Sequence, residues 1–180
     1  QPYAVDVRQS SSEVTVTLRR EGHVWVGAHH HPLRVEKTFT FRHGQERYTC
    51  AYTVTNLADA PVDVRFAVEL VSGFDGGQDP LYAWLTVNGD DHPARLADWL
   101  EHEGVTAHTT TSRLRGLALT TEVEQPCTLW TFPLETVTMS EAGYERGYQG
   151  SVYLHIWPLH LAAGESWRGW LAQEVRAETP

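Results

Sequence analysis

Apolar and polar side chains alternate with a period of two along almost the whole chain, and that pattern restricts the fold more than any other feature. Val14, Val16 and Leu18 alternate with Thr15, Thr17 and Arg19. Leu33, Val35, Phe39 and Phe41 are interleaved with Arg34, Glu36, Thr38 and Thr40, and Tyr48, Cys50, Tyr52 and Val54 with Thr49, Ala51 and Thr53. Successive residues of a strand point to opposite faces, so the pattern specifies half-buried β-strands rather than helices. The same reading predicts strands over 24–26, 62–70, 82–87, 105–110, 114–123, 127–134, 151–161 and 166–175. Gly44-Gln45 predicts a hairpin turn, while 56–61, 72–80 and Asn88-Gly-Asp-Asp91 read as loops. The strands at 33–41, 48–54 and 62–70 follow one another closely and predict a three-stranded antiparallel meander. A single helical turn is expected near 96–103. Strands so numerous, separated by turns so regular, pack as two layers; the expected fold is all-β, a large antiparallel β-sandwich, with 1–180 as one domain.

Size and charge narrow the function classes. A chain of 180 residues is long enough to bury about two thirds of the surface that it exposes unfolded. A formal net charge of −9, with fourteen Lys and Arg residues forming no block, argues against a nucleic-acid partner and leaves a neutral, hydroxyl-rich ligand open. No apolar run approaches the roughly twenty residues of a membrane span, so no membrane partner is expected. Because the first residue is Gln1, the sequence reads as a mature or excised piece of a longer polypeptide. Cys50 and Cys127 each sit in an apolar strand-like run and read as buried free thiols, which predicts a reducing compartment, the cytoplasm.

The densest polar chemistry lies between two strand-like runs, at 135–150, which reads as a loop. It carries Glu135, Glu141, Tyr144, Glu145, Arg146, Tyr148 and Gln149. Carboxylates and amides bind sugar hydroxyls, and aromatic faces stack on the C–H-lined side of sugar rings. Among seven tryptophans, Trp130 and Trp157 lie in strongly apolar runs and are expected in the core. Trp25, Trp84, Trp99, Trp167 and Trp170 lie in thinner contexts, where exposure of at least one is expected. The predicted carbohydrate-binding set is Trp25, Trp84, Trp99, Glu135, Glu141, Tyr144, Glu145, Tyr148 and Gln149. A pair of these glutamates could act as general acid and base, but ion pairing, with Arg146 as partner, is the better reading, and no residue is assigned a catalytic role.

Metal chemistry is weakly indicated. His29, His30 and His31 alternate sides in an extended chain and stand beside no Cys or carboxylate at ligand spacing, so a turn before Pro32 is expected there. The clusters Asp75 to Asp79 and Asn88 to Asp91 supply hard oxygens without calcium-loop spacing. They read as turns, with a structural calcium as the minority alternative and no other cofactor. His155 shares a strand face with Tyr153 and Trp157, where packing and ligand contact are equally open.

The segment Glu135-Thr-Val-Thr-Met-Ser-Glu-Ala-Gly-Tyr-Glu-Arg-Gly-Tyr-Gln-Gly150, with Pro32-Leu-Arg-Val-Glu-Lys37 upstream, resembles the C-terminal domain of glycoside hydrolase family 57 enzymes, the 4-α-glucanotransferases and α-amylase-like proteins. Tyr52-Thr-Val-Thr-Asn56 and Phe66-Ala-Val-Glu69 are similar to strands of galactose mutarotase-like sandwiches. The resemblance implies a β-sandwich that follows a catalytic (β/α)-barrel holding the nucleophile and acid. No segment here alternates strand with a ten-residue helix, so none of those catalytic residues maps onto this chain. The implied role is a non-catalytic accessory domain that binds α-glucan oligosaccharide or polysaccharide, or supports the barrel of its parent chain. The alternatives are a purely structural docking domain and a mutarotase- or epimerase-like enzyme using His155 with Glu135 or Glu145.

Overall fold

The computed structural model describes residues 2–90, 92–141 and 143–178, and these form antiparallel strands with no helix among them. In chain order the strands are β1 (Ala4–Gln9), β2 (Glu13–Val26), β3 (His29–Arg42), β4 (Arg47–Asn56), β5 (Val62–Ser72), β6 (Ala83–Val87), β7 (Ala94–Arg95), β8 (Leu100–Ser112), β9 (Leu117–Ser140), β10 (Gly143–Leu161) and β11 (Ser166–Ala177). The all-β class read from the alternation is the observed one. The chain packs as two compact units, the first comprising Gln1–Phe66, Val123–Gln125 and Pro158–Glu174, the second Ala67–Glu122, Pro126–Trp157 and Val175–Pro180.

In the first unit β1, β2, β3, β4 and β11 lie side by side in that order. The alternation does what it predicts: on β4, Cys50, Tyr52 and Val54 are buried while Thr49, Thr53 and Thr55 are only partly covered. Tyr52 meets the ring of Phe66, which in turn meets Trp167, with centroids 5.5 and 5.4 Å apart. Two expectations are corrected here. The meander runs β1 to β4, and β5 is not its continuation, because β4 takes β11 as its other neighbour while β5 pairs with β10. The buried Asn56 explains the departure: its amide donates to the carbonyls of Ala60, Leu161 and Ala162, and its Oδ1 accepts from the Ala58 N–H. Those bonds tie the 56–61 loop to the end of β10. The histidine triplet is no turn either. The bend falls at Gly27, whose φ of +60° suits glycine, and His29 to His31 with Pro32 run along β3 opposite Val26 to His23.

In the second unit β7, β6, β8, β9 and β10 are neighbours in that order, with the Ala67 end of β5 on β10. Strands expected at 114–123 and 127–134 are one strand, β9, whose ladder with β8 shifts register between Val105 and Ala107. Such a bulge re-aims a strand without ending it. The helical turn expected near 96–103 is a turn that leads at Leu100 into β8; Leu96 is buried and its carbonyl accepts the Ser151 hydroxyl at 2.6 Å. The presumed loop 135–150 is a β-hairpin, the joined ends of β9 and β10, in register from Gly143 opposite Ser140 to Tyr148 opposite Glu135. Thr136, Val137, Thr138 and Met139 favour extended chain, and that preference outweighs the charges around them.

Candidate functional site

The hairpin separates the polar residues that the sequence groups. Cross-strand pairing places Glu135, Val137 and Met139 of β9 opposite Tyr148, Arg146 and Tyr144 of β10, and paired residues share a sheet face. Glu145, opposite Thr138, belongs to the reverse face, as does Gln149, whose amide donates to Thr136 Oγ1 at 3.3 Å. The Glu135 carboxylate lies 3.5 Å from the Arg146 guanidinium, the partner anticipated from sequence. Tyr148 is half-buried; its hydroxyl donates to Ser151 Oγ at 2.8 Å, and its ring lies so close over Gly77 that no β-carbon fits there. Burial pushes its phenol up. Glu141 and Tyr144 are exposed. The hairpin residues of the predicted set therefore divide between two faces, and Tyr148 braces the base of the hairpin.

A different surface of this unit is organised. On β9 the residues Leu129, Thr131 and Pro133 face inward and are buried, which turns Trp130 and Phe132 outward. Trp130 stands opposite Glu101 of β8 and Leu154 of β10. Trp99, in the turn before β8, is 72% exposed and lies nearly flat on Phe132, centroids 5.0 Å apart at 17°. These residues line an open groove of about 580 Å³. Trp130 itself is 37% exposed, which corrects its assignment to the core; Trp157, assigned likewise, is buried. Of the expected ligand set only Trp99 lies here. Trp84 is half-buried with the Arg113 guanidinium 5.6 Å above its ring, and Trp25 belongs to the first unit, where it is exposed beside His23 and His30. Trp167 donates to Gln125 Oε1 and Trp170 is half-buried. The signal for Phe132 and Trp130 lay in their shared parity with each other against Leu129.

The interior of the second unit holds a histidine pair. His108 and His155 are buried, their Nε2 atoms 3.1 Å apart, with His155 Nδ1 3.3 Å from the Val68 carbonyl. If His155 donates to Val68, its Nε2 must accept from His108, which leaves the buried Nδ1 of His108 without a partner. The rings of His108 and Tyr153 stack, and the Thr110 hydroxyl donates to the Tyr153 phenol at 2.9 Å. Burial pushes His155 down to about 4 and His108 well below the usual range, the neighbouring imidazole adding to the latter, so both are neutral near pH 7. The expected pairing of His155 with Glu135 or Glu145 is corrected. Ten residues of extended β10 separate His155 from Glu145, about 33 Å at strand rise, and Glu135 is paired with Tyr148, seven residues from His155.

The acidic loops are occupied by internal partners. Asp75 meets the Arg115 guanidinium at 2.6 Å, Asp79 accepts the Leu81 N–H and Asp90 contacts His92. Asp91, the last residue of its cluster, lies outside the described residues. Among the described residues no three His, Cys, Asp or Glu side chains gather as a metal site would require. Cys50 and Cys127 are free and buried, as expected, and burial pushes the Cys127 thiol up to about 11.

The fold is of the galactose mutarotase-like, all-β class. A candidate aldose 1-epimerase from Escherichia coli K12 matches it with a TM-score of 0.72 at 14% identity, over 97% of this chain and 68% of that one. The 4-α-glucanotransferase of Thermococcus litoralis matches with a TM-score of 0.68 at 21% identity, over 97% of this chain and 22% of that one. The family model described as alpha-amylase/4-alpha-glucanotransferase, C-terminal, matches residues 1–171, and the chain belongs to that family. Alpha-amylase 1 of Dictyoglomus thermophilum is 27% identical over 123 residues, 65% of this chain and 16% of that protein. The chain thus spans about a sixth of that relative's length.

Proposed function

We propose that the chain is a non-catalytic accessory domain of a glycoside hydrolase family 57 enzyme and that it binds α-glucan in the Trp99, Trp130 and Phe132 groove. The observation that carries this reading is the Trp99 and Phe132 stack, which fixes a flat aromatic surface in the open at the floor of a groove. A pyranose ring offers one face of C–H groups, which gains from such a surface, and hydroxyls at its rim, which a carboxylate such as Glu101 can accept. An aromatic held in place by a neighbour loses little freedom when a ligand arrives. The net charge of −9 suits a neutral ligand.

In this reading the chemistry belongs to a (β/α)-barrel of the parent polypeptide, which is the domain's second partner, and 1–180 is one domain of that longer enzyme. Binding calls for no cofactor. The buried, protonated thiols support placement in the reducing cytoplasm. Titration with maltoheptaose, read by tryptophan fluorescence and by calorimetry, tests the proposal. Quenching or blue shift that saturates, lost in Trp99→Ala and kept in Trp25→Ala, is the expected result. Heat and fluorescence unchanged at saturating maltoheptaose would overturn it and leave the docking role alone.

A further inference from the structure

The outer half of the β9 and β10 hairpin carries an apolar face that is exposed among the described residues. Val137 is 62% exposed and Met139 and Tyr144 80%. These three share one face, since Met139 pairs with Tyr144 and Val137 with Arg146. The reverse face carries Thr136, Thr138 and Glu145. A ribbon with one dry face and one wet face is the pattern of a strand pair packed against a core on one side.

Parity along β9 says on which side the core is missing. Leu129, Thr131 and Pro133 are buried against the unit's interior, and Glu135, Val137 and Met139 continue the same odd-numbered face without a bulge in β9. The apolar alternation therefore runs on in register for two residue pairs beyond the point where the unit's own inner layer ends. The single charge pair on that face, Glu135 with Arg146, is neutralised within the hairpin. What the face offers a partner is apolar surface and a phenol, with no net charge to match.

We propose that this hairpin is a docking arm and that its Val137, Met139 and Tyr144 face is covered by an apolar surface elsewhere in the same polypeptide, the catalytic part of the enzyme. The inference rests on the reading that the chain belongs to a longer enzyme and does not depend on glucan binding. Two facts select that occupant. The chain spans 16% of Alpha-amylase 1 and 22% of the 4-α-glucanotransferase, so most of each relative lies outside the matched region. A two-stranded ribbon exposed on both faces is marginal in water, and one built of β-formers with a continued core pattern gains its order from a covering layer. The arm then acts as a clasp that sets the domain against the catalytic part, while the groove on the other face of β9 stays open to ligand.

Met139 is the one methionine of the 180 residues, which makes oxidation a site-specific reporter. Hydrogen peroxide is added to the complete enzyme and to the 180-residue chain, and sulfoxide at Met139 is followed by peptide mass spectrometry. Oxidation several-fold slower in the complete enzyme, at every protein concentration, is the expected result. Equal rates overturn the proposal. Protection that appears in the 180-residue chain and fades on dilution also overturns it, because the occupant is then a second copy. The triple variant Val137→Ser, Met139→Ser, Tyr144→Ser supplies the second readout: it lowers the unfolding midpoint of the complete enzyme and leaves that of the 180-residue chain in place. A shift of equal size in both contradicts docking. Maltoheptaose titration of the same variant keeps the two proposals apart, since loss of the clasp leaves groove binding intact.

Discussion

The odd-numbered face of β9 has two halves that read alike in sequence and meet different surroundings. Around Leu129 and Thr131 the face, shared with their cross-strand partners His155 and Tyr153 of β10, is buried; around Val137 and Met139 the same alternation looks onto solvent. Alternation specifies that a face wants cover, and the covering layer is supplied by other segments. The first half finds it within this unit. The second half does not, and that difference is the basis for expecting a partner.

The comparison breaks most visibly at Leu129. Its side chain is fully buried opposite His155 and His102, so Leu129→Ala opens a cavity and is expected to lower the unfolding free energy by about 3 kcal/mol. Urea denaturation of the purified chain measures it. A loss as small as that of a surface substitution would mean that the covered half is loosely packed and that the two halves do not differ.

The covered half also holds the histidine pair, which predicts a pH dependence. His155 has its ordinary pKa near 6.5 in the unfolded chain and about 4 in the fold. Between those values the unfolded chain binds a proton that the folded chain refuses, so stability is full above about pH 6.5 and falls as pH drops toward 4. A shift of that size corresponds to about 3 kcal/mol at the acid end, an upper figure because the interior can admit water on protonation. His108 acts in the same direction, but protonation of one imidazole of the pair disfavours the other. Denaturation midpoints measured at stepped pH should decline through this window, and a flat profile would show that the pair is solvated rather than sealed.

The difference between the halves explains what could be read in advance. Strands were legible wherever the chain alternated, because that signal is local. Trp130 was not, since Thr128-Leu129-Trp130-Thr131-Phe132 carries apolar side chains on both parities, and which parity is covered depends on β8 and β10. The hairpin is obscured for the opposite reason: its charges suggest loop, although Thr136 to Met139 favour extended chain. The neighbour of β5 was out of reach because the bonds from Asn56 to Leu161 and Ala162 connect positions more than a hundred residues apart. Of the groove's aromatics Trp99 is legible, from its thin apolar context, and Arg146 is legible as an ion-pair partner for the hairpin glutamates, of which Glu135 lies against it.

On the even-numbered face the expected effect is smaller and concerns ligand rather than fold. Trp99 contacts Phe132 but is otherwise open, so Trp99→Ala should weaken maltoheptaose binding about tenfold, the scale of one lost aromatic stack, with little change in stability. Phe132→Ala should act in the same direction by freeing Trp99. Substitution of Trp25 sharpens the contrast, because an exposed tryptophan without a groove should leave the affinity unchanged.

The smallest effect is the most telling. Met139→Ala removes a large side chain from the bare half of the same face on which Leu129 sits. With 80% of Met139 exposed, the 180-residue chain has almost no burial to lose, and its stability should move by less than about 0.5 kcal/mol. In the complete enzyme the same substitution should cost more, because a covered methionine takes its apolar area out of water. The two measurements differ only in whether the rest of the polypeptide is present, so an equal and negligible cost in both would mean that the outer half of β9 stays uncovered and that its alternation serves the hairpin alone.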